Sequence, residues 1–443
     1  MLKYFGTDGI REIVHKSSLC ETAFFAGSAL ARIACQNNPN PKVLIAKDTR
    51  LSGELIENAC AAGLGSGGCS IIKAGILPTP AAAYLSGLYE CDYCIVISAS
   101  HNPPEYNGIK IFEGTGKKLN VYQELELEKL IDERNAKSRG NLGKILDYSA
   151  TSEDYIKYAL SLLRHPLKGL KIVLDCANGA TAVTAPEIFK RAGAAVTAIN
   201  TSIASDRIND ACGATFPSAL KDCVRKQHAD FGFSFDGDGD RVIVSDSRGN
   251  IYGGDSVLYI LASYYKSENR LSGGAAVGTI MTNMGVEVSL KDAGIGLYRA
   301  DVGDKYVLEK MTEHGLNLGA EESGHVILRD YLSTGDGVFT ALELLNVIQS
   351  RGKNIKELID NCKIYPQTLI NVAVQREARD KICADERLKD KIAEIEAQLG
   401  GRGRIVIRPS GTEPKIRVMA ECSDPVLSRV TAEQIAEFLK NVI

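Results

Sequence analysis

The 443-residue sequence lacks several features that mark whole classes of protein. No apolar run approaches the roughly 18–20 residues that a membrane-spanning helix needs. Residues 1–11 contain no long apolar segment of the kind found in a secretory signal. The formal net charge is only −3, so no global positive field favours nucleic acid. We therefore expect a cytoplasmic protein that binds neither a membrane nor nucleic acid.

A disulfide framework is also missing. The 12 cysteines are scattered along a long chain without regular spacing, which indicates reduced thiols. Cys91 and Cys94 form a Cys-x-x-Cys pair that leads directly into a strand-like segment. No second pair accompanies it, so a metal or redox role is the weaker interpretation.

Three segments, beginning near residues 42, 170 and 275, repeat one pattern of apolar strand, polar turn, helix, glycine and second strand. Each is a β-turn-α-β unit of roughly 30 residues, which is the building block of a parallel sheet. Their separation by roughly 100–130 residues predicts related domains rather than a solenoid. Beyond residue 367, three strand-like segments (369–374, 405–408 and 415–422) and two helices predict a small domain with an antiparallel sheet.

The predicted fold class is therefore α/β, with three related α/β domains that contain mixed sheets and a C-terminal α+β domain. The expected boundaries give domains 1–155, 156–252, 253–366 and 367–443. Gly-rich or Gly/Ser/Lys-rich stretches lie near the first two boundaries.

Segment 235–241, Phe-Asp-Gly-Asp-Gly-Asp-Arg, places a carboxylate at every second position. In an extended chain, Asp236, Asp238 and Asp240 would point the same way. The glycines between them let the backbone crowd an ion. Three carboxylates this close repel one another unless a cation compensates them, and Mg²⁺ is the hard cation that fits best.

An EF-hand loop and a solvated acidic turn both fit this segment less well. An EF-hand loop requires Gly at its sixth position and Glu at its twelfth, where this sequence has Arg241 and Ser247. A solvated acidic turn fits poorly with the apolar segments 231–235 and 242–244 on either side.

Segment 95–104 runs from an apolar strand into a polar tip closed by two prolines. Ligands of α/β sheets bind at the carboxyl ends of strands, and Ser100 lies at such an end. The neighbouring His101 is not in itself a catalytic triad, and this segment alone fits a structural turn equally well. Lys110 lies near Ser100 if the following strand returns as a hairpin; otherwise it is an ordinary surface lysine.

A local basic patch interrupts the weakly acidic chain near its C-terminal end. Between residues 402 and 417 one acid, Glu413, faces five basic residues, Arg402, Arg404, Arg408, Lys415 and Arg417. The turn Pro-Ser-Gly-Thr at 409–412 adds hydroxyls and backbone N–H groups, which together with arginines form a phosphate cradle. Nucleic-acid binding is the competing interpretation, and it is weakened because no aromatic residues are interleaved.

Two further segments are informative only in company. Segment 318–325 combines carboxylates, a hydroxyl and a histidine on a glycine-flanked loop, which suits sugar recognition, although such a loop is often only a polar turn. Segment 5–11 contains Arg11, which could contact a phosphate.

Taken together, the five segments resemble the α-D-phosphohexomutase family over essentially the whole chain. They occur in the family's order: Gly-Thr-Asp-Gly-Ile-Arg, Ser-Ala-Ser-His-Asn-Pro, Asp-Gly-Asp-Gly-Asp-Arg, Glu-x-Ser-Gly-His and Arg-Pro-Ser-Gly-Thr-Glu-Pro. The resemblance implies four domains around one central active-site cleft. It also implies an isomerase-class phosphotransferase that forms a phosphoserine and a sugar 1,6-bisphosphate.

The resemblance assigns roles to individual residues. The implied metal site holds Mg²⁺ with Ser100, Asp236, Asp238 and Asp240. The implied catalytic residues are Ser100, His101, Lys110, Arg11 and Arg241, with Lys110, His101 and His325 as candidates for proton transfer. The implied substrate-binding residues are Glu321, Ser323, His325, Arg408, Ser410, Gly411, Thr412 and Arg417.

Within the family, the chain is most similar to the branch that acts on glucosamine phosphates, on account of its first residues, Glu322 and segments 334–337 and 408–419. That branch interconverts the 6- and 1-phosphates, which feeds UDP-N-acetylglucosamine synthesis, with glucosamine 1,6-bisphosphate (or glucose 1,6-bisphosphate) as activating intermediate. Glu12 and segment 103–106 depart from it, and the latter resembles the phosphomannomutase/phosphoglucomutase branch, which is the alternative.

Two other classes of function stay open at this point. A phosphatase could use the same serine and metal, and a non-catalytic sugar-phosphate sensor could use the same pockets. The expected partners are small sugar phosphates, and a homodimer is left open.

Overall fold

The computed structural model describes residues 2–6, 8–135, 141–146, 148, 150–375, 378–409 and 414–442. The described residues form four sheets, one for each predicted domain. Short 3₁₀ turns at Val14–Lys16, Ala180–Val183 and Ser272–Gly274 join some of the elements.

The N-terminal domain is a mixed sheet covered by helices. Its elements are β1 (Phe5–Gly6), β2 (Gly9–Ile13), α1 (Leu19–Asn37), β3 (Lys42–Lys47), α2 (Gly53–Ser66), β4 (Ser70–Ile76), α3 (Thr79–Leu88), β5 (Tyr93–Ile97), β6 (Tyr106–Glu113), α4 (Val121–Asp132) and β7 (Ile145–Leu146). The strand order is β1-β2-β6-β5-β3-β4-β7. The central β3 is apolar over 43–46 because helices cover both of its faces, as in other parallel sheets.

The second sheet follows the helix α5 (Thr151–Ser161). Its elements are β8 (Lys171–Asp175), α6 (Ala185–Arg191), β9 (Ala195–Ile199), α7 (Ser218–Gln227), β10 (Phe231–Phe235), β11 (Val242–Asp246) and β12 (Ile251–Tyr252). The strand order is β12-β11-β10-β8-β9, in which β10 and β11 form an antiparallel hairpin.

The third sheet has the order β14-β13-β15-β16. Its domain consists of α8 (Gly254–Ser267), β13 (Ala275–Thr279), α9 (Met284–Asp292), β14 (Gly296–Ala300), α10 (Asp304–Glu313), β15 (Leu318–Ala320), β16 (Val326–Leu328), α11 (Gly337–Arg351) and α12 (Ile355–Leu358).

The C-terminal sheet is antiparallel, with the order β17-β19-β18. Its elements are β17 (Gln367–Ala373), α13 (Arg379–Cys383), α14 (Glu386–Leu399), β18 (Gly403–Pro409), β19 (Lys415–Cys422) and α15 (Pro425–Val442). Its core is separate from the large core that runs through the first three domains.

The predicted fold class is confirmed. In each predicted β-turn-α-β unit the two strands pair in parallel, as β3 with β4, β8 with β9 and β13 with β14. The division into residue ranges stays a proposal, and its first boundary at 155/156 falls inside α5. Among the described helices, none combines the length and apolar character that a membrane span requires.

The Cys-x-x-Cys pair lies inside the first domain. Cys91 and Cys94 are both buried and not disulfide-bonded. Burial raises the pKa of the Cys94 thiol well above its usual value, which favours the inert protonated form.

Candidate active site

Ser100 lies just beyond the carboxyl end of β5, and its backbone has a left-handed φ of 50°. This conformation is uncommon for a residue with a side chain and needs support from its surroundings. The Oγ donates a hydrogen bond of 2.7 Å to Asp236 Oδ2 and lies 3.3 Å from His101 Nδ1. Ser100, the predicted nucleophile, therefore contacts the predicted metal-binding segment 235–241 (the metal loop).

The three aspartates occupy the turn between β10 and β11 and are buried. One oxygen of each lies within 4.8 Å of the others, an arrangement that could hold a metal ion. Within the described residues, Oδ1 of Asp238 and Oδ1 of Asp240 have no hydrogen-bond partner. Buried oxygens without a donor are costly, and a hard cation satisfies them.

The charges in this turn are unequal. Burial raises the pKa of Asp236 well above its usual value, and the Asp240 and Asp238 carboxylates add to the increase. Burial alone would also raise the pKa of Asp238, but the Lys110 ammonium lowers it to about 2. Asp238 is therefore firmly ionised, whereas the negative charge of Asp236 needs a compensating cation.

Lys110 is a buried residue of β6, which pairs antiparallel with β5 as a hairpin. Its Nζ lies 2.7 Å from Asp238 Oδ2, 2.8 Å from Asp8 Oδ2 and 3.4 Å from Asp240 Oδ2. Burial acts to lower the pKa of Lys110, but Asp238 and Asp8 outweigh it and hold that pKa well above its usual value. Lys110 is therefore a fixed cation of the site and not an ordinary surface lysine.

His101 differs from Lys110 in its charge. Burial lowers the pKa of His101 to about 3, and the nearby Arg241 and Arg11 act in the same direction. The imidazole is consequently neutral at physiological pH.

A chain of alternating charges, which the sequence pattern does not reveal, extends from Lys110 to the third domain. Asp8 contacts Lys110, Lys118 and Arg11, and Lys118 also contacts Asp304 at the start of α10. Asp8 belongs to segment 5–11, in which only Arg11 was expected to contact a ligand. Nothing in the sequence around Lys118 or Asp304 marks either residue, because they meet only after two domains pack together.

A cavity of about 680 Å³ opens beside these groups. It is lined by residues of the first three domains, among them Asp8, Arg11, His101, Asp240, Arg241, Gly303, Asp304, Glu321, Ser323 and His325. Most of the predicted catalytic and sugar-binding side chains therefore face one cavity.

The predicted sugar-binding segment 318–325 (the sugar loop) is hydrogen-bonded to the end of the metal loop. Val242 N–H donates to the Gly324 carbonyl at 3.0 Å, and the backbones of Arg241 and His325 pair as an isolated antiparallel β-bridge. Gly324 has a φ of 91°, and a Cβ there would collide with the Val242 carbonyl oxygen, so glycine is required. The two loops thus form one rigid wall of the cavity.

The polar side chains of this loop are available to a ligand. Glu321 Oε1 accepts the Gly303 N–H at 2.9 Å, which leaves its other oxygen for a ligand. His325 is buried, and within the described residues neither ring nitrogen has a hydrogen-bond partner. Its Nε2 lies 3.6 Å from Asp304 Oδ2.

Glu322 points elsewhere. Its carboxylate accepts the Asp255 N–H at 3.0 Å at the start of α8 and lies against Gly253. Glu322 does not belong to the cavity lining, although it was one of the residues that linked the chain to the glucosamine branch.

Two of the five residues predicted to bind phosphate lie in the described part of the chain. Arg408 and Arg417 lie directly opposite each other on β18 and β19. Burial lowers the pKa of Arg408 and the charge of Arg417 adds to the decrease, a repulsion that a bound anion would relieve. The predicted Ser410, Gly411 and Thr412 lie outside the described residues.

Arg404, another member of the predicted basic patch, has a different task. It pairs with the buried Glu421 at 2.7 Å and donates to the carbonyls of Ile280 at 2.9 Å and Thr282 at 2.6 Å. It therefore joins the fourth domain to the third.

Comparison with known proteins agrees with this arrangement. Four descriptions of the phosphoglucomutase/phosphomannomutase family match in succession: alpha/beta/alpha domain I at residues 2–138, domain II at 153–249, domain III at 253–365 and the C-terminal domain at 369–438. A phosphoglucosamine mutase of Caldanaerobacter subterraneus subsp. tengcongensis is 42% identical over 443 residues, which cover 99% of each chain.

Solved structures share the fold. A phosphoglucomutase/phosphomannomutase family protein from Burkholderia thailandensis superposes with a TM-score of 0.81 at 24% identity, over 99% of this chain and 98% of that chain. The Aspergillus fumigatus N-acetylphosphoglucosamine mutase in complex with GlcNAc-6P and magnesium gives 0.70 at 17% identity, over 99% and 95%. The four matched domains and the full-length relative show that the chain belongs to the phosphoglucomutase/phosphomannomutase family.

Proposed function

We propose that the protein interconverts glucosamine 6-phosphate and glucosamine 1-phosphate through a phosphorylated Ser100. The contact of Ser100 Oγ with Asp236, inside a buried triad of carboxylates, carries this proposal. The full-length relative named phosphoglucosamine mutase supports the choice of sugar.

The proposed reaction needs two anion sites that act at once. Arg408 and Arg417, together with Ser410, Gly411 and Thr412, would hold the phosphate that the sugar already carries. Phosphoserine 100 gives its phosphoryl group to the free sugar hydroxyl, whose proton leaves. The resulting glucosamine 1,6-bisphosphate turns over in the cleft and returns its other phosphate to Ser100. Glucosamine or glucose 1,6-bisphosphate is also the proposed activator of the unphosphorylated enzyme.

The residues around the cavity would assist in separate ways. Glu321, Ser323 and His325 would bind sugar hydroxyl groups, since all three residues line the cavity. Arg11, Arg241 and Lys110 would stabilise the phosphoserine with positive charge. Proton transfer would fall to Lys110, His101 or His325.

The residues at the triad fit Mg²⁺. The donors are all oxygens, two of them without a hydrogen-bond partner in the described part of the chain, and magnesium prefers such ligands. Mg²⁺ held by Asp236, Asp238, Asp240 and a phosphate oxygen on Ser100 would neutralise charge on the transferring group.

Phosphomannomutase/phosphoglucomutase activity is the alternative, and the direction of Glu322 favours keeping it. Because Glu322 is turned away from the cavity, it does not read the 2-amino group directly. Comparison of kcat/KM for glucosamine, glucose and mannose phosphates on fully phosphorylated protein separates the two. A higher value for glucose or mannose phosphate would overturn the glucosamine proposal.

Replacement of Ser100 by Ala tests the chemistry itself. We expect mutase turnover to fall below detection even with added sugar 1,6-bisphosphate, because Ser100 is the only described residue whose hydroxyl bonds to Asp236. Ser234→Ala, which removes a buried hydroxyl from β10 that bonds to Asp175 at 3.3 Å, serves as the matched control and should retain turnover.

Full activity of Ser100→Ala would refute the phosphoserine mechanism. In the wild-type protein, release of free phosphate without isomerised sugar would indicate a phosphatase. A Ser100 that mass spectrometry never finds phosphorylated would indicate a sensor.

A further inference from the structure

The loop that carries Ser100 is held by its carbonyl groups. Arg50, which is completely buried, uses one terminal nitrogen to donate to the carbonyls of Ser100 at 3.0 Å and Asn102 at 2.8 Å. Its other terminal nitrogen donates to the carbonyls of Pro103 and of Tyr106, the latter at 2.9 Å. One guanidinium thus bonds four carbonyls of the loop.

Arg50 is itself fixed by the end of the neighbouring strand. Its Nε donates to Asp48 Oδ2 at 3.0 Å, and both residues directly follow β3, the parallel partner of β5. Asp48 Oδ2 also accepts the Ser98 hydroxyl at 2.6 Å, and Ser98 Oγ accepts the Ser100 N–H at 2.9 Å. The backbone N–H and carbonyl of Ser100 are therefore both connected to one buried network.

A second donor reaches the same carbonyls from the second domain. Asn209 Nδ2 donates to the carbonyl of Ser100 at 2.8 Å and to that of Asn102 at 3.1 Å. A Cβ at Gly237 of the metal loop would lie only 2.6 Å from the Ser100 carbonyl oxygen. The Ser100 carbonyl is thus enclosed between both domains.

We infer that Arg50 and Asn209 are positioning residues for phosphoryl transfer, which hold Ser100 in its left-handed conformation with Oγ aimed at the metal loop. This inference rests on the proposed function. All the hydrogen bonds that Arg50 and Asn209 donate to this loop go to backbone carbonyls, so these residues act on the reaction through the loop. A left-handed conformation is strained for a residue with a side chain, and it persists only when the surrounding structure imposes it. A displacement of about 1 Å at a reacting group can cost about 100-fold in rate.

The inference predicts a particular defect. When the loop moves, phosphoserine should meet water as well as the sugar hydroxyl. Water then attacks phosphorus, the bond from phosphorus to Ser100 Oγ breaks, the serine regains a proton and inorganic phosphate leaves. Loss of positioning should therefore raise the ratio of phosphate released to sugar isomerised.

The test uses full-length Arg50→Lys and Asn209→Gly, phosphorylated and quantified by mass spectrometry. Lysine keeps the charge but cannot bond four carbonyls, and glycine suits the φ of 59° at Asn209 while removing the amide. We expect kcat per phosphorylated molecule to fall about 10- to 100-fold with KM changed less than about threefold. We also expect the ratio of phosphate release to isomerisation to rise at least about tenfold by the same reasoning.

Matched controls separate positioning from folding. Arg164→Lys alters an arginine paired with Glu343, and Asn178→Gly alters a left-handed asparagine that bonds the Arg207 carbonyl. Partial unfolding lowers both product rates equally, so these controls should keep the wild-type ratio.

A wild-type ratio and kcat per phosphorylated molecule in Asn209→Gly would overturn the inference, even if its melting temperature fell. Asn209→Gly decides alone if Arg50→Lys does not fold. If wild-type protein isomerises no hexose phosphate, the proposed function fails, while phosphoserine hydrolysis still tests positioning. If phosphoserine hydrolysis in Asn209→Gly is then no faster than in wild type, the positioning inference is overturned.

Discussion

At the scale of single residues, Asp238 serves two neighbours with one carboxylate. Oδ2 accepts from Lys110 at 2.7 Å and from the Thr79 hydroxyl. Oδ1 has no hydrogen-bond partner within the described chain and is free for a cation. The lysine keeps this carboxylate ionised, so the charge that a metal requires is present before the metal arrives.

The replacement Asp238→Asn should remove metal binding. In wild-type protein, we expect Mg²⁺ at one hundred times its Kd to add about 2.7 kcal/mol to stability, and we expect the variant to show no such increase. Turnover should fall at least about 100-fold, because the proposed metal would supply several kcal/mol of charge stabilisation. Thermal unfolding with and without MgCl₂ measures the first effect.

Asp246→Asn, at the far end of the same hairpin, is the control for that prediction. Its carboxylate bonds Tyr252 and the Arg248 and Asn250 backbone, so the variant should be less stable yet keep the Mg²⁺ shift. An unchanged Mg²⁺ shift in Asp238→Asn would remove Asp238 from the metal site.

At the scale of elements, the sugar loop is tied to the start of α8 by the Glu322 carboxylate, which accepts the Asp255 N–H. Burial raises the pKa of Glu322 to about 7, and the charge of Asp255 adds to this increase, while burial also raises the pKa of Asp255 to about 6. Glu421 raises the pKa of Asp255 further, whereas Arg299 lowers it. Asp255 also accepts the Asn283 N–H at 2.6 Å, so the pair connects α8, α9 and the sugar loop.

This pair should make stability fall as pH rises. The folded protein holds protons on Glu322 and Asp255 up to about pH 6–7, whereas the unfolded chain releases them near pH 4. The stabilisation that these protons give the folded protein is therefore fully present below about pH 4, and it is lost as the pH rises through 6–7. In Glu322→Gln, which resembles the protonated form, the fall should be smaller by about 1 kcal/mol, because Glu322 is partly exposed and screened.

Denaturant midpoints between pH 5 and pH 8 measure this difference. Glu309→Gln, at an exposed position on α10, should keep the wild-type slope. A Glu322→Gln profile parallel to that of the wild type would contradict the prediction.

At the scale of the whole molecule, the first three domains share a continuous apolar core, whereas the fourth has its own. The fourth domain carries Arg408 and Arg417 and joins the third through polar contacts. Among these are the bonds from Arg404 to the carbonyls of Ile280 and Thr282 and the bond from Met284 N–H to Glu421 at 2.8 Å. The domain of the proposed phosphate cradle is thus bonded to the third domain through Arg404 and Glu421, which also pair with each other.

Removal of that attachment should affect both stability and binding. Arg404→Ala leaves the buried Glu421 without its cation, which typically costs about 3–5 kcal/mol. We expect KM for the sugar phosphate to rise more than kcat falls, because the cradle loses its alignment. Denaturant unfolding and steady-state kinetics measure the two effects.

Arg402→Ala is the control, since within the described part of the chain the Arg402 side chain bonds one carbonyl of its own domain, that of Leu399 at 3.1 Å. It should show wild-type KM. If Arg404→Ala also keeps wild-type KM, the bonds from Arg404 to the third domain do not align the cradle.

Features that depend on neighbouring residues could be predicted from the sequence alone. Apolar periodicity and turns predict the three parallel units, and the clustered carboxylates predict a shared metal site, although Asp236, Asp238 and Asp240 converge in a turn and not along an extended chain as expected. Motif order indicates the family. These features follow from backbone geometry over a few residues, so no tertiary information is needed.

Contacts between distant groups, in contrast, depend on the packing of the domains. Arg50 bonds a loop about fifty positions away, and Lys110 meets Asp238 across two domains. The packing of the domains likewise decides that Glu322 points away from the cavity and that Arg404 lies at an interface between domains. The partner of a polar side chain depends on how separately folded sheets pack, and sequence spacing carries no record of that packing.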